Sequence, residues 1–201
     1  MENLELVLPE IFISLSIMFL LILGVFKKDS SRLIQNISLL VLLITAVITF
    51  NETLGIDEVS LFNGSVIVDY LSSFMKIATL ITAFLVLVIS SNYLRSLNIF
   101  KIEYPILILS SVLGMMIMIS SNDLIVFYMG LELQSLALYV LATFNRDQIK
   151  SSEAGLKYFV LSALSSGLLL YGCSLIYGFT GSTNFNVIAN QLNSNEYALT
   201  F

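Results

Sequence analysis

The sequence predicts an all-α, polytopic membrane protein with about six transmembrane helices, and three observations support this fold class. Of its 201 residues, 57% are hydrophobic and only 11% are charged, whereas soluble domains carry about 25% charged residues. The apolar residues fall into six runs, each close to the length of about 20 residues that crosses a bilayer core as a helix. Among the connections between these runs, Lys and Arg occur in every second one. We therefore expect lipid to surround the chain.

The six runs are predicted to be helices of a single transmembrane domain. Only helices and closed barrels satisfy every backbone hydrogen bond in lipid, and the alternating ten-residue strands of a barrel are not seen. Polar stretches such as "KKDSSR" and "NRDQIKSSE" separate the runs, and residues 179–201 are predicted to be a loop-like polar tail. The predicted spans are 7–26, 33–50, 70–92, 104–121, 123–144 and 155–178.

The distribution of charge predicts the orientation. The first, third and fifth connections contain all the loop cations, whereas the second connection is acidic. Because cationic loops stay on the cytoplasmic or matrix side, the N-terminus is expected outside. The acidic start "MENLELVLPE" fits neither a secretory signal nor a mitochondrial presequence, so the first run is expected to be retained. The loop cations are Lys27, Lys28, Arg32, Arg95, Lys101, Arg146 and Lys150.

Glu132 is the acid that the sequence places deepest in the membrane. It follows Asp123, where the fifth span begins, by nine residues, which is roughly 13 Å along a helix. A lone acid at that depth costs about 2.5 kcal/mol or more, so it should face protein or water. Helical spacing puts Tyr128, Ser135 and Tyr139 on the same stripe. Two interpretations stay open, a proton-relay carboxylate and a neutral acid that joins helices by hydrogen bonds.

Two lysines lie inside predicted spans. Lys157 follows Glu153 by four residues, which favours either a helical ion pair or snorkelling to the interface. Its charge is opposite to that of Glu132 on the neighbouring antiparallel span, so the two groups would influence each other's pKa. Lys76 is expected to snorkel outward toward Asp69.

Other polar positions have simpler predicted roles. Glu103 and Asp123 begin the fourth and fifth spans, where acids cap helices and complement their dipoles. Small residues in the sixth span recur at four-residue spacing, which predicts close packing against another helix. These small residues are Ser162, Ala163, Ser166 and Gly167.

The composition excludes redox centres within the chain. It has no His and one Cys, Cys173, so a histidine-ligated metal site and an intrachain disulfide are excluded. It also lacks the dinucleotide fingerprint, the P-loop and any Cys cluster. We therefore expect no cofactor-binding site and no metal site, and nucleic acid is not an expected partner.

Two blocks of sequence carry a resemblance to a known family. "SNDLIVFYMGLELQSLALYVLATF" and "EAGLKYFVLSALSSGLLLYGCSLIYGFTGSTNF" closely resemble the antiporter-like membrane-arm subunit of respiratory complex I, the proton-pumping NADH:quinone oxidoreductase, that is called subunit 2 in mitochondria and subunit N in bacteria. "LVLPEIFI" and "VDYLSSF" also resemble it. The similarity covers nearly the whole chain and is strongest over 104–185.

The resemblance implies a function and a set of site residues. These subunits contain inverted helical repeats and a central chain of charged residues, and they couple proton translocation to quinone reduction by other subunits. Glu132 matches the family's glutamate on the fifth helix, Lys157 its lysine at the start of the sixth, and Glu103 an acid near the inner end of the fourth. Glu132 and Lys157 are thus the expected relay residues. Tyr128, Ser135 and Tyr139 are possible accessories. FMN, iron–sulfur clusters and quinone are expected in partner subunits.

The chain also departs from the family pattern. It ends before the seventh helix, which carries the family's most important lysine, so a second polypeptide is expected to supply the remaining helices of a split subunit. Other membrane-arm subunits and lipids are the further expected partners. A composition rich in Phe, Ile, Leu, Asn and Ser favours the mitochondrial inner membrane, with the bacterial plasma membrane as the alternative. Two other functions stay open, a subunit of a multisubunit sodium/proton antiporter and a structural membrane scaffold.

Overall fold

The described part of the chain is a bundle of long helices. A computed structural model describes residues 4–26, 31–53, 58–97 and 99–194. The six longest helices, α1 to α6, are long and apolar enough to cross a membrane, which confirms the predicted fold class. The elements are a 3-10 helix (Leu4–Val7), α1 (Leu8–Phe26), α2 (Ser31–Thr53), β1 (Val59–Leu61), β2 (Val66–Val68), α3 (Tyr70–Ser96), α4 (Glu103–Ser120), α5 (Leu124–Ala142), α6 (Ile149–Thr180) and α7 (Phe185–Ser194).

The C-terminal region differs from the prediction. The predicted tail over 179–201 contains α7, and only residues 195–201 lie outside the described residues. Helix α6 stops at Gly181, whose φ of 66° is left-handed, and the Gly181 N–H donates to the Tyr177 carbonyl at 2.7 Å. Asn184 then starts α7, because its Oδ1 accepts from the N–H groups of Asn186 and Val187. The sequence did not predict this short amphipathic helix because its composition is polar. Its residue Ile188 is buried.

A β-hairpin interrupts the second connection, where the sequence predicted only a break. Strands β1 and β2 are antiparallel, with Leu61 opposite Val66. Phe62, Asn63 and Gly64 all have positive φ values, as Asn and Gly tolerate in tight turns. The inward side chains of the two strands, Leu61 and Val68, form a small buried cluster with Leu6. The hairpin therefore covers the 3-10 helix that precedes α1.

The main core lies among α1, α2, α3 and α4. Helix α5 packs mainly on α4, and α6 packs on α5. Within the described chain α4 is the most buried span and α6 the least, so α6 forms the edge of the bundle. The fully buried apolar side chains of the core include Ile13, Leu20, Ile34, Leu42, Leu80, Leu87, Leu109 and Met116.

The backbones of α4 and α5 touch at two glycines. A Cβ atom on Gly114 would lie 2.6 Å from the Gln134 nitrogen, and one on Gly130 would lie 2.8 Å from the Met118 nitrogen. Small residues allow such close approach of membrane helices. At Gly167, where the sequence predicted close packing against another helix, nothing in the described chain lies within 4 Å of the Cβ position, so no described helix packs there. The small residues of α6 lie on an edge helix, whereas α4 lies in the middle.

Hydrogen bonds join three connections at the predicted outer end. The carboxylate of Asp123 accepts from the Ile125 N–H at 2.8 Å and the Val126 N–H at 3.4 Å, which confirms that it caps α5. Its other oxygen accepts from the Thr183 hydroxyl at 2.5 Å. The side-chain amides of Asn122 and Asn184 both donate to the Gly64 carbonyl at 2.8 Å. We call Gly64, Asn122, Asp123, Thr183 and Asn184 the outer clasp.

Asp123→Ala is expected to lower the free energy of unfolding by about 1–2 kcal/mol, because it removes a helix cap and the partner of Thr183. Thermal unfolding of the solubilised chain, followed by circular dichroism, would measure the change. Asp147→Ala is the control, since Asp147 is exposed in the connection between α5 and α6. Equal losses in the two variants would show that the clasp does not stabilise the fold.

Candidate functional site

Glu132 lies on α5, near the middle of the helix, beside the close contact of α4 and α5. The residue is half-buried. Its Oε2 atom has no accessible surface and no hydrogen-bond partner among the described residues. Buried polar atoms in folded proteins are nearly always paired with protein or water. If Glu132 joined two helices by hydrogen bonds, this oxygen would need a partner on another helix. The described part of the chain offers none.

The polar stripe around Glu132 is divided between two kinds of contact. The Ser135 hydroxyl donates to the Leu131 carbonyl of its own helix at 2.6 Å. Tyr139 instead reaches α6, where its hydroxyl is hydrogen-bonded to Ser162. Its ring meets the Tyr158 ring edge-on, with centroids 4.9 Å apart. The structure thus uses Tyr139 to join α5 to α6, and Tyr128 is half-buried on α5.

Lys157 lies in the third turn of α6 and forms the ion pair that its spacing predicted. Its Nζ donates to Glu153 Oε1 at 2.6 Å, and the two side chains are 71% and 58% exposed. Exposed pairs of this kind add little stability. Lys157 and Glu132 lie on helices that pack together, but the structure pairs Lys157 with Glu153 and not with Glu132.

Glu103 is the first residue of α4 and is exposed. The cap position is Ile102, which makes no side-chain capping bond. Glu103 therefore does not cap the helix directly, but its negative charge lies in the first turn, where it interacts favourably with the helix dipole.

Lys76 is the clearest departure from the sequence prediction. Instead of snorkelling outward, it is 2% exposed, and its Nζ lies 2.5 Å from Oε1 of Glu10 on α1. The predicted contact of Lys76 with Asp69 is not formed. Asp69 Oδ1 instead accepts from the Ser72 N–H in a capping box at the start of α3. The signal that sequence reasoning missed is Glu10, an acid within the first apolar run at the same predicted end of the bundle as Lys76.

The described residues contain no group of three or more His, Cys, Asp or Glu side chains that could hold a metal ion. The spans contain ionisable groups, among them the Glu132 carboxylate and the Glu10–Lys76 ion pair. Six apolar helices with a half-buried carboxylate in the middle of one define a class, the polytopic integral membrane proteins with an ionisable group inside a span.

Comparison with known sequences specifies the family. The family model described as "NADH:quinone oxidoreductase/Mrp antiporter, TM" matches residues 121–201, which include Glu132 and Lys157. The NADH-quinone oxidoreductase subunit N of Pelagibacter ubique is 68% identical over the whole chain, which covers 42% of that relative. The subunit N of Paramagnetospirillum magneticum is 49% identical over 92% of the chain and 38% of the relative. The chain belongs to the NADH-quinone oxidoreductase subunit N family, and it spans about two-fifths of the length of these relatives.

Solved structures show the same fold. Respiratory complex I from Thermus thermophilus with bound aureothin contains a chain with a TM-score of 0.73 and 29% identity, over 88% of this chain and 38% of that one. An archaeal membrane-bound sulfane sulfur reductase gives a TM-score of 0.79 at 21% identity, over 93% of this chain and 40% of that one. At 21% identity, the similarity to the sulfane sulfur reductase shows a shared fold alone.

Proposed function

We propose that this chain is the N-terminal part of a membrane-arm subunit of a proton-translocating NADH:quinone oxidoreductase. In this proposal other subunits reduce quinone, and this chain contributes charged residues to the proton translocation that the reduction drives. The observation that carries the proposal is the position of Glu132, a carboxylate in the middle of a membrane span with a buried oxygen that lacks a partner in the described chain. The high identity to subunit N proteins supports the same assignment.

The argument for Glu132 is energetic. An ionisable group at the middle of a membrane span costs about 2.5 kcal/mol or more, so such groups face protein or water and mark proton or ion pathways. Oε2 has no hydrogen-bond partner among the described residues, so a partner for this oxygen is expected outside them.

Lys157 is proposed as the second relay group. It lies on the helix that packs against α5, and its side chain is exposed at the edge of the described bundle, where a neighbouring subunit has access to it. Its ammonium donates to Glu153 Oε1 at 2.6 Å. The Tyr139–Ser162 hydrogen bond fixes α6 against α5 and so sets the relative positions of the two charges. Glu103, Tyr128 and Ser135 are proposed as accessory groups.

The proposal assigns no redox centre to this chain. In this proposal FMN, iron–sulfur clusters and quinone belong to partner subunits, and other membrane-arm subunits are further partners. Lipids are further partners, since many large apolar side chains of α6 are exposed in the described chain.

The proposed location is a bacterial plasma membrane, with the N-terminus outside. The chain has six candidate membrane spans, and the relatives described above come from bacteria. The mitochondrial expectation rested on amino-acid composition alone, and these relatives favour the bacterial alternative.

A sodium/proton antiporter subunit is the second candidate. The description of the matching family model names the Mrp antiporter beside the oxidoreductase, and an Mrp complex from Dietzia shares the fold, with a TM-score of 0.69. Sodium-dependent proton exchange in membranes that lack NADH would favour this function.

A native gel of gently solubilised source membranes, stained for NADH oxidation, tests the proposed function first. We expect this chain in a very large NADH-active band, and mass spectrometry should find other membrane-arm subunits there. Migration in a small band without NADH activity would contradict the oxidoreductase assignment.

Glu132→Gln is expected to preserve assembly and to lower the number of protons translocated per NADH oxidised, because the amide keeps the shape of the side chain but cannot exchange a proton. Acidification measured together with NADH oxidation in inverted vesicles would show this. Glu58→Gln is the matched control, since Glu58 is exposed beside the hairpin. An unchanged ratio in Glu132→Gln would remove this residue from the relay.

A further inference from the structure

A polar cavity of about 340 Å³ lies between α2 and α3 at the predicted inner end of the bundle. Most of the side chains that line it are polar, and none of them is acidic. We call this space the inner cavity. Its polar lining residues are Arg32, Gln35, Asn36, Ser91, Asn92 and Arg95, and its apolar ones are Leu39 and Val88.

The two arginines of the inner cavity come from different helices and lie at the same level of the bundle. Arg32 is the second residue of α2, and Arg95 lies in the last turn of α3. Arg95 Nη2 donates to the side-chain oxygen of Gln35 on α2, so these two helix ends are in contact. Because cationic loops stay on the cytoplasmic side, this level is expected beside the lipid headgroups of the inner leaflet.

The arrangement of these arginines favours an anionic ligand. Arg95 is already oriented, because Gln35 accepts its hydrogen bond and the Phe100 ring lies 4.9 Å from its Cζ. Neither Arg32 nor Arg95 forms an ion pair with a described carboxylate. Two guanidinium groups beside one cavity repel each other, and an anion in the cavity offsets that repulsion. A guanidinium group presents paired N–H donors that match the oxygens of a phosphate.

The wall of the inner cavity changes from polar to apolar with depth in the membrane. Leu39 and Val88 each lie seven residues from the arginine of their own helix, which is roughly 10 Å along the helix axis. Leu43 and Leu85 continue the same helix faces about one turn deeper, and both side chains are exposed in the described chain. A fitting ligand therefore has an anionic head at the helix ends and hydrocarbon below it, as a phospholipid does.

We propose that the inner cavity binds the phosphate of an anionic phospholipid, whose acyl chains lie in the groove between α2 and α3. Arg32 and Arg95 bind the phosphate oxygens, and the amides of Asn36 and Asn92 supply further N–H donors. Basic pockets between membrane helices on the cytoplasmic side bind anionic headgroups. A zwitterionic headgroup would add a cation beside the arginines, so an anionic one is preferred. The site is independent of the proposed function, because it concerns only α2 and α3.

Photo-crosslinking of the full native assembly in lipid vesicles tests this site. The probes are phosphatidylglycerol and phosphatidylcholine, each with a diazirine in one acyl chain, and mass spectrometry locates the labelled residues. We expect several-fold more labelling of Leu39, Leu43, Leu85 and Val88 by the phosphatidylglycerol probe than by the phosphatidylcholine probe. Equal labelling would mean that these residues contact lipid without headgroup selection, and no labelling by either probe would mean that protein covers the groove. Either result would overturn the proposal.

Arg32→Gln/Arg95→Gln is expected to abolish the preference for phosphatidylglycerol at these four residues. The matched control is Arg146→Gln/Lys150→Gln, which removes two exposed cations from the same predicted side of the membrane but outside the inner cavity, and should leave the preference intact. Arg32→Gln alone keeps the contact of Arg95 with Gln35 and should lower the preference without disturbing the helix ends. An unchanged preference in Arg32→Gln would overturn the proposal even where the double variant fails to assemble.

Inorganic phosphate distinguishes a lipid headgroup from a soluble anion with the same chemistry. The labelling is repeated with excess inorganic phosphate, with chloride at equal ionic strength as the reference. We expect the preference for phosphatidylglycerol to persist, because the acyl chains also hold the lipid in the groove. Loss of the preference in phosphate alone would assign the cavity to a soluble anion and overturn the lipid site. Absence of the chain from any NADH-active assembly would overturn the proposed function and leave this comparison decisive for the inner cavity.

Discussion

Lys76→Met is expected to lower the free energy of unfolding by about 3–5 kcal/mol, because it leaves the Glu10 carboxylate buried without its cation. The double variant Glu10→Leu/Lys76→Met should recover most of this loss, since apolar replacement of a whole buried ion pair is often neutral or stabilising. An SDS titration of the solubilised chain in mixed micelles, followed by circular dichroism, measures each free energy.

Lys157→Met provides the matched control for this substitution. Lys157 also forms an ion pair, but its side chain is 71% exposed, and exposed pairs contribute little. Its loss should therefore be a small fraction of that in Lys76→Met. Similar losses in the two variants would mean that the Glu10–Lys76 pair is not buried in the folded protein.

Gly114→Ala is expected to lower the free energy of unfolding by about 1–3 kcal/mol through overpacking. The added methyl would lie 2.6 Å from the Gln134 nitrogen and 2.7 Å from the Gly130 carbonyl oxygen. Both atoms belong to the backbone of α5, so no side-chain rotation relieves the contact and the helices must separate. The same titration measures the effect, and Gly130→Ala should act in the same direction.

Gly167→Ala is the control for the glycine substitution. It is also a helix-interior glycine, but nothing lies within 4 Å of its Cβ position in the described chain. Alanine is the better helix former by about 0.5–1 kcal/mol, so stability should be unchanged or slightly higher. A loss in Gly167→Ala equal to that in Gly114→Ala would contradict the packing of α4 against α5.

The membrane spans were predictable because each depends on a local property of the chain. A run of apolar residues is recognisable without knowing its neighbours, and the start of α5 at Asp123 follows from a capping residue in front of such a run. The ion pair of Lys157 was predictable for the same reason, since Glu153 lies one helical turn away. Local spacing did not reveal α7, because its apolar residues are few and its composition is polar.

The contacts between distant helices were not predictable. Lys76 pairs with Glu10, 66 positions earlier, and only the packing of α1 near α3 brings them together. Small residues occur in both α4 and α6, but only the arrangement of the bundle makes Gly114 a contact and leaves Gly167 open. For Glu132, the sequence predicted the need for a partner, and the structure leaves its buried oxygen without one among the described residues.

The outer clasp has a consequence for how the protein is made. The two amides that reach the Gly64 carbonyl come from residues 58 and 120 positions later in the chain. The ribosome synthesises the hairpin long before it synthesises Asn184. The Gly64 carbonyl can therefore accept from Asn184 only after the fifth and sixth helices have been synthesised, and complete closing of the clasp is a late step of biogenesis.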